Sequence, residues 1–343
     1  MTDSAPAQRD EQGNWRPAEP IRPAPINHWP LNARALRQWF FGWPGFLWPY
    51  NAVLLLLTVV TWVFLTPELQ AMQSLEVWWL GALFARNVAL VLLVFGGLHF
   101  YLYIRRGQGD ELQFSSRPFA VDNRRFRFGH QVRDNMFHTL AYAVPVFTAF
   151  EALTYWGFAN GLLGYGVGGE TSVGFWLWSV FLFLLAPIIH AVHFYFGHRL
   201  LHSRFLYRRV HALHHRNVDV GPWSGLSMHP LEHTVYFSTV VVQWLLALHP
   251  LNALYQIQLA VVYAAFAHTG FEKLKVSKSL GIEGGSYFHN LHHKHFECNY
   301  GGSLIPLDRI FGTFHDGSSE ADAAMRERIE VRRKALRAQL PVG

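Results

Sequence analysis

The sequence predicts an all-α integral membrane protein: a bundle of about four transmembrane helices plus a re-entrant or spanning hairpin, with a cytosolic histidine-box metal-binding cap. Three observations predict it. Charged residues make up only 15% of the 343 residues, against about 25% in a soluble domain. The deficit lies in long uncharged runs that approach or exceed the roughly 20 residues needed to cross a bilayer. Finally, the 20 histidines are bunched, and one grouping, H-x2-H-H, occurs twice.

The elements follow in chain order. Residues 1–44 are polar and proline-rich, with no apolar signal-peptide core, and read as a flexible cytosolic lead-in. Residues 45–170 hold the first spans and a basic loop. "GFLWPYNAVLLLLTVVTWVFL" predicts helix 1 over about 45–65, and further helices are expected over about 79–104, 135–158 and 172–195. Backbone amides in hydrocarbon must be bonded internally, which makes such runs helical. Residues 171–316 are the histidine-box catalytic unit. Within it, 234–248 and 251–270 form a hairpin turning at "HPLNA", whose short first arm suits a re-entrant segment. Residues 317–343 read as a charged, solvated helical tail.

Charge sets the expected orientation. Arg105, Arg106, Arg117, Arg124, Arg125, Arg127 and Arg133 fill one loop, and Arg199, Arg204, Arg208, Arg209 and Arg216 follow the last long run. Thr66–Val77 carries only Glu68 and Glu76, and Asn160–Thr171 only Glu170. By the positive-inside rule both termini and the histidine boxes face the cytosol, in a bacterial inner membrane or an ER-type membrane. This placement accounts for the net charge of +6, so nucleic acid is not an expected partner. Aromatics near the run ends, such as Trp43, Trp48, Tyr50, Trp78 and Trp79, fit an interfacial belt. Arg86 is expected to snorkel or to pair with Glu76. Glu151 is expected at a wetted interface. The single cysteine, Cys298, excludes an internal disulfide.

Thirteen histidines fall between His198 and His295, one of them His249 of the hairpin turn. His198/His202 and His229/His233 are H-x3-H pairs; His211/His214/His215 and His289/His292/His293 are the H-x2-H-H boxes; His268 stands alone and His295 lies just beyond the last box. Residues at i, i+3 and i+4 share a helical face, so each box is expected to point its imidazoles one way. Neutral imidazole suits Zn, Cu, Fe and Ni. A mononuclear catalytic zinc takes three protein ligands; the box histidines are too many for one ion and fit two, which can share a bridging oxygen species. No H-E-x-x-H occurs and no box offers a thiolate. A nitrogen-rich pair of metals beside lipid suits O2 activation by iron, though spacing alone leaves zinc open.

"HRLLHSRFLYRRVHALHH" (198–215), "HPLE" (229–232), "HTG" (268–270) and "HNLHHKHFECNYGGSLIPLDRIFGTF" (289–314) resemble the fatty acid hydroxylase / sterol desaturase superfamily. The resemblance covers roughly 175–316 and is nearer the sterol desaturase and methyl-oxidase branch. It implies metal roles for His198, His202, His211, His214, His215, His289, His292 and His293, with His229 and His268 at matching positions and His233 as a further candidate. His295 is placed outside the coordination sphere. Many relatives carry an acid two turns before the first box; here His190 stands on that face and either replaces it or lines a cavity. Glu232, Glu272, Asp219 and Glu297 are candidates to orient ligand imidazoles through their second nitrogen. Asn299, Tyr300 and Gly301 are expected to form a tight turn against the last box, and Asp308 and Arg309 to pair structurally.

The implied chemistry uses two Fe ions (zinc being possible as purified) and O2 to hydroxylate or desaturate a lipid C–H bond, with no catalytic protein residue beyond the ligands. No CxxCH or iron–sulfur cysteine set is present, and the one GxGxxG, at 164–169, follows an apolar helical run and not a strand, so a separate electron donor is implied: a reductase, ferredoxin or cytochrome. The rivals are a zinc-dependent membrane hydrolase and a non-catalytic membrane metal-handling protein.

Overall fold

The computed structural model describes residues 8–9, 13–164, 172–275, 281–283 and 286–338. Among the described residues, four helices are long and apolar enough to cross a membrane: α2 (Leu47–Leu65), α3 (Val77–Ile104), α4 (Gln131–Ala159) and α5 (Val173–Leu201). They are preceded by a short helix, α1 (Ala33–Phe41), which Asn32 caps by accepting from the Ala35 amide. Large apolar side chains on the spans, including Leu56, Phe64, Leu93, Phe100, Val180 and Phe181, face outward, as a lipid-facing surface requires. Part of the loop 160–171 expected on the outer side lies outside the described residues.

Beyond α5 come α6 (204–215), α7 (Pro230–Phe237), α8 (Val241–Leu246), α9 (Pro250–Ala267), α10 (Ser286–His295) and α11 (Ser319–Ala338). The expected hairpin exists. Its arms are tied by Tyr236 Oη donating to the Ala260 carbonyl and by Gln256 bonded to Gln243 and Thr239. α9 is the central helix, buried on nearly every side. That burial explains its polar residues: Gln258 bonds Thr58 and Thr61 of α2, and Asn252 donates to the Ser179 carbonyl of α5. Polar groups inside a membrane bundle need such partners.

Three expectations are corrected here. Arg86 neither snorkels nor reaches Glu76, whose carboxylate accepts from Ser74 and Trp78 at the start of α3. Arg86 pairs with Glu151, and both are buried. Glu151 is therefore not wetted: it also accepts from Asn87 (2.8 Å) and Tyr155 (2.7 Å). A buried carboxylate requires this saturation. The lead-in is docked from Trp15 onward: Trp15 is buried between Phe114 and Tyr287, and Arg16 bonds Asp322 of α11 at 2.7 Å. One buried tryptophan outweighs a polar composition because it removes a large apolar area from water.

Candidate metal centre

Two groups of imidazoles converge where α5, α6, α9 and α10 meet. His198, His202, His211, His215 and His292 form one group, and His214, His268, His289 and His293 the other; within each, the ligand-capable atoms lie within 4.8 Å of one another. Each H-x2-H-H box is divided between the groups rather than presenting one face to one ion. Adjacent helical residues point about 100° apart. His214 and His215 thus enter different groups, as do His292 and His293. The i, i+4 pairs His198/His202, His211/His215 and His289/His293 stay together.

Local structure explains the aim. The last turn of α5 carries His198, and His202 caps it. A π-helical turn over Tyr207–His211 precedes the second box; such turns rotate the residues that follow and recur at functional sites. His268 caps the C-terminus of α9. The turn 222–226 lies so close on α9 that a Cβ at Gly225 would sit 2.2 Å from the Ala264 carbonyl oxygen.

The nitrogens meet at unusual distances for imidazoles. Nε2 of His198 and His211 are 3.0 Å apart, His215 and His292 3.0 Å, His202 and His292 3.1 Å, and His202 and His215 3.1 Å. In the second group, His268 Nε2 lies 3.1, 3.2 and 3.3 Å from those of His289, His293 and His214. Several of these rings already hold their proton on Nδ1 and cannot donate through Nε2. His198 Nδ1 donates to the Tyr300 carbonyl (2.7 Å), His292 Nδ1 to Cys298 (2.6 Å) and His268 Nδ1 to Ala264 (2.9 Å). His211 Nδ1 lies 2.6 Å from Glu232 Oε1. In a neutral imidazole that leaves Nε2 of His198, His292 and His268 a bare acceptor, its lone pair aimed at the other ring nitrogens of its group. A cation between the rings takes up these lone pairs. Nitrogens bound at about 2.0–2.1 Å to one ion lie about 2.9–3.4 Å apart at common coordination angles, which matches. The all-nitrogen, neutral donor set fits two transition-metal ions.

Burial, reinforced by neighbouring imidazoles, holds His202, His211, His214, His215, His289, His292 and His293 well below the ordinary histidine value. Burial also pushes His268 down to about 3. The rings are thus in the unprotonated form that binds metals.

Other expected residues lie elsewhere. His229 joins neither group. Its Nδ1 accepts from the Leu231 amide at the start of α7 (3.2 Å), which leaves the proton on Nε2 and no lone pair for a metal. His233 is fully buried with neither ring nitrogen bonded, and it too stands outside both groups. The Glu272 amide is bonded to Leu112, and its carboxylate belongs to neither group. Asp219 pairs with Arg117 at 2.9 Å, and Glu297 is exposed at the end of the box. His190 lines a cavity two turns before His198 and touches no ligand nitrogen. His295 sits with His315 and Asp322 in a third cluster. There His315 Nδ1 accepts from the Gly317 amide (3.1 Å) and its Nε2 lies 3.3 Å from Asp322; burial holds both imidazoles below the ordinary histidine value, so two neutral rings face one carboxylate, apart from the two groups. His315 has no spacing motif to announce it.

The chain bends at 299–301 against the last box, with Asn299 in the left-handed region and no hydrogen-bonded turn. Asp308 does not pair with Arg309, which stacks on Phe314. Asp308 instead accepts from the Tyr300 amide (2.9 Å), the Gly301 amide (2.8 Å) and Thr313 Oγ1 (2.6 Å). It thereby fixes the carbonyl that holds His198.

A narrow apolar slot of about 20 Å³ opens between the groups and the bundle. Phe194, Leu201, Met228, Val235, Tyr236 and Ala267 form its walls, and His198, His211, His214, His268 and His289 its metal-facing end.

Known proteins resemble this chain in sequence. The fatty acid hydroxylase family matches residues 183–313. The chain is 34% identical over 131 residues to a methylsterol monooxygenase of Arabidopsis thaliana, covering 37% of this chain and 49% of that protein. It is 32% identical over 142 residues to a very-long-chain aldehyde decarbonylase of Oryza sativa subsp. indica (40% and 52% covered). It is 25% identical over 202 residues to a delta(7)-sterol 5(6)-desaturase of Gibberella zeae (57% and 56% covered). The chain spans about half the length of the curated relatives it matches, and no solved structure matches. Over residues 183–313 the chain is thus similar to the fatty acid hydroxylase family, and the sterol monooxygenase and sterol desaturase relatives fit the fatty acid hydroxylase / sterol desaturase superfamily that the histidine boxes resemble.

Proposed function

We propose that this protein is a membrane di-iron oxygenase that hydroxylates or desaturates a C–H bond of a lipid. One observation carries the reading: two sets of neutral imidazoles aim bare Nε2 lone pairs at two common points, at the end of an apolar slot. The named activities of the relatives, on methylsterols, a sterol and very-long-chain aldehydes, are all lipid chemistry and support it.

His198, His202, His211, His215 and His292 would hold one iron, and His214, His268, His289 and His293 the other. Bound together, the two ions supply O2 activation strong enough to attack an unactivated C–H bond. The chain's own residues do the rest. Tyr300, Cys298 and Ala264 carbonyls and the Glu232 carboxylate hold the ring protons on Nδ1 and keep the Nε2 atoms inward. Phe194, Leu201, Met228 and Val235 make the walls of the slot apolar and keep bulk water from it. The two electrons are assigned to a separate donor, a reductase, ferredoxin or cytochrome. The histidine cap is assigned to the cytosolic face, where such donors work.

The test is metal content of protein from iron-replete cells, with Mössbauer spectra before and after reduction and exposure to O2. About two coupled, O2-reactive irons per chain are expected from a two-metal site. Zinc alone, with no iron uptake on anaerobic reconstitution, would overturn the redox reading in favour of a hydrolase or a structural site.

A further inference from the structure

A second cavity, of about 250 Å³, lies beside the slot, and the two share Phe194 and Tyr263 as a common wall. Trp39 of α1, Phe46 and Tyr50 close one side; Pro187 and His190 of α5 and Leu259 of α9 close the other. Its lining has no Asp, Glu, Lys or Arg. Two polar groups in it are unsatisfied: the Tyr50 hydroxyl, and both ring nitrogens of His190, which is 4% exposed. A buried imidazole with neither nitrogen bonded is costly. No acid lines the cavity to pair with an imidazolium, so His190 is neutral and offers one donor and one acceptor.

His190 also stacks on Phe194 (5.9 Å between ring centroids, 8° between planes), and Phe194 stacks on the ligand His198 (4.9 Å, 27°). The three are spaced i, i+4, i+8, so this ladder runs about 12 Å along α5 from the cavity to the metal centre.

We propose that His190 and Tyr50 are the specificity-determining residues of the substrate chamber: they hydrogen-bond one uncharged polar group, a hydroxyl or carbonyl, of a lipid whose apolar body passes Phe194 and Tyr263 toward the metals. The inference rests on the oxygenase reading for what happens to the lipid, but not for its binding. A hydroxyl matches the donor–acceptor pair that each side chain presents. A carboxylate or phosphate would be desolvated without a counter-charge and is rejected.

The experiment measures binding of radiolabelled 1-hexadecanol, hexadecane and hexadecanoate to the detergent-solubilised full chain by scintillation proximity. The alcohol is expected to bind about tenfold more tightly than the alkane, the effect of one or two net hydrogen bonds, and hexadecanoate more weakly than the alcohol. Tyr50→Phe and His190→Leu each remove a group that has no partner in the protein, so folding is spared. Each should bring the alcohol toward the alkane and leave the alkane unchanged, while His190→Gln, which restores a donor and an acceptor, keeps the preference. Equal binding of alcohol and alkane to the parent protein, a preference for hexadecanoate, or full alcohol preference in both Tyr50→Phe and His190→Leu would overturn the assignment. Iron content and O2 uptake are measured on the same samples. Their absence beside an intact alcohol preference sinks the oxygenase reading alone; their presence beside a missing preference sinks this one alone.

Discussion

The ring of His198 donates through Nδ1 to the Tyr300 carbonyl across 2.7 Å, and the Tyr300 amide is itself held by Asp308. A carboxylate that touches no ligand thus sets the angle of one through two hydrogen bonds. Asp308→Ala is expected to lower metal affinity of the first group by about 10–100-fold, the usual effect of removing an outer partner, while Asp308→Asn, which keeps one acceptor, loses less. Metal titration of the purified protein checks this, and an unchanged affinity in Asp308→Ala would show that the bend holds without its carboxylate.

Glu232 reaches His211 directly. Glu232→Gln retains an oxygen to accept the Nδ1 proton but not the charge, and Glu232→Leu retains neither. The expected order of iron affinity is parent, Gln, Leu, with the Leu variant down by about 10–100-fold. Equal iron content in all three at limiting iron would remove Glu232 from the orienting set.

The positions of His229 and His233 give a negative prediction. His229→Ser keeps a helix cap, and His233 belongs to neither group. Both His229→Ser and His233→Gln should retain the full metal content, whereas His215→Ala and His214→Ala should each deplete a different group. Iron analysis decides, and loss of iron in His233→Gln would restore His233 as a ligand.

The metal-free protein should be acid-labile. Its cluster histidines titrate well below 6.5 when folded because of burial and mutual repulsion. Below pH 6.5 the unfolded chain therefore binds more protons than the folded one, and stability falls as pH falls. The slope approaches about 1.4 kcal/mol per pH unit for each imidazole that is protonated only when unfolded. Thermal unfolding of metal-free protein between pH 8 and pH 5 should show a steep fall of Tm, with metal-loaded protein less affected; parallel curves would contradict it.

The Arg86–Glu151 pair is structural. Glu151→Ala leaves a buried guanidinium without its carboxylate and is expected to destabilise by about 3–5 kcal/mol. The double variant Arg86→Met, Glu151→Leu should recover most of that. Denaturant unfolding in detergent compares them, and a double variant as unstable as the single one would show that the network beyond the pair matters more.

Much of this was legible in the chain, and the rest was hidden for physical reasons. The spans show in hydropathy because lipid faces one side of each. Their ends do not: α4 begins at Gln131 rather than near 135, since its first turn is polar and bonds protein, Gln131 and Asn135 holding Asn217. The nine histidines of the two groups stand in recognisable spacings, except His268. Their allocation was not visible, because H-H neighbours diverge by a helical rotation that a shared-face reading overlooks. The backbone carbonyls that fix ring protons carry no sequence signal at all. His229 has the spacing of a metal-binding pair but stands outside both groups, because a ring that caps a helix shares that spacing.

The divided H-H pairs also bear on assembly. His214 and His215 share one peptide bond, as do His292 and His293, yet fall in different groups. Seating an ion in either group immobilises backbone that also aims ligands at the other, so the second ion meets an ordered half-site. Loading should therefore be cooperative, with singly filled protein scarce at every iron concentration, and the pair of ions should leave together under a chelator.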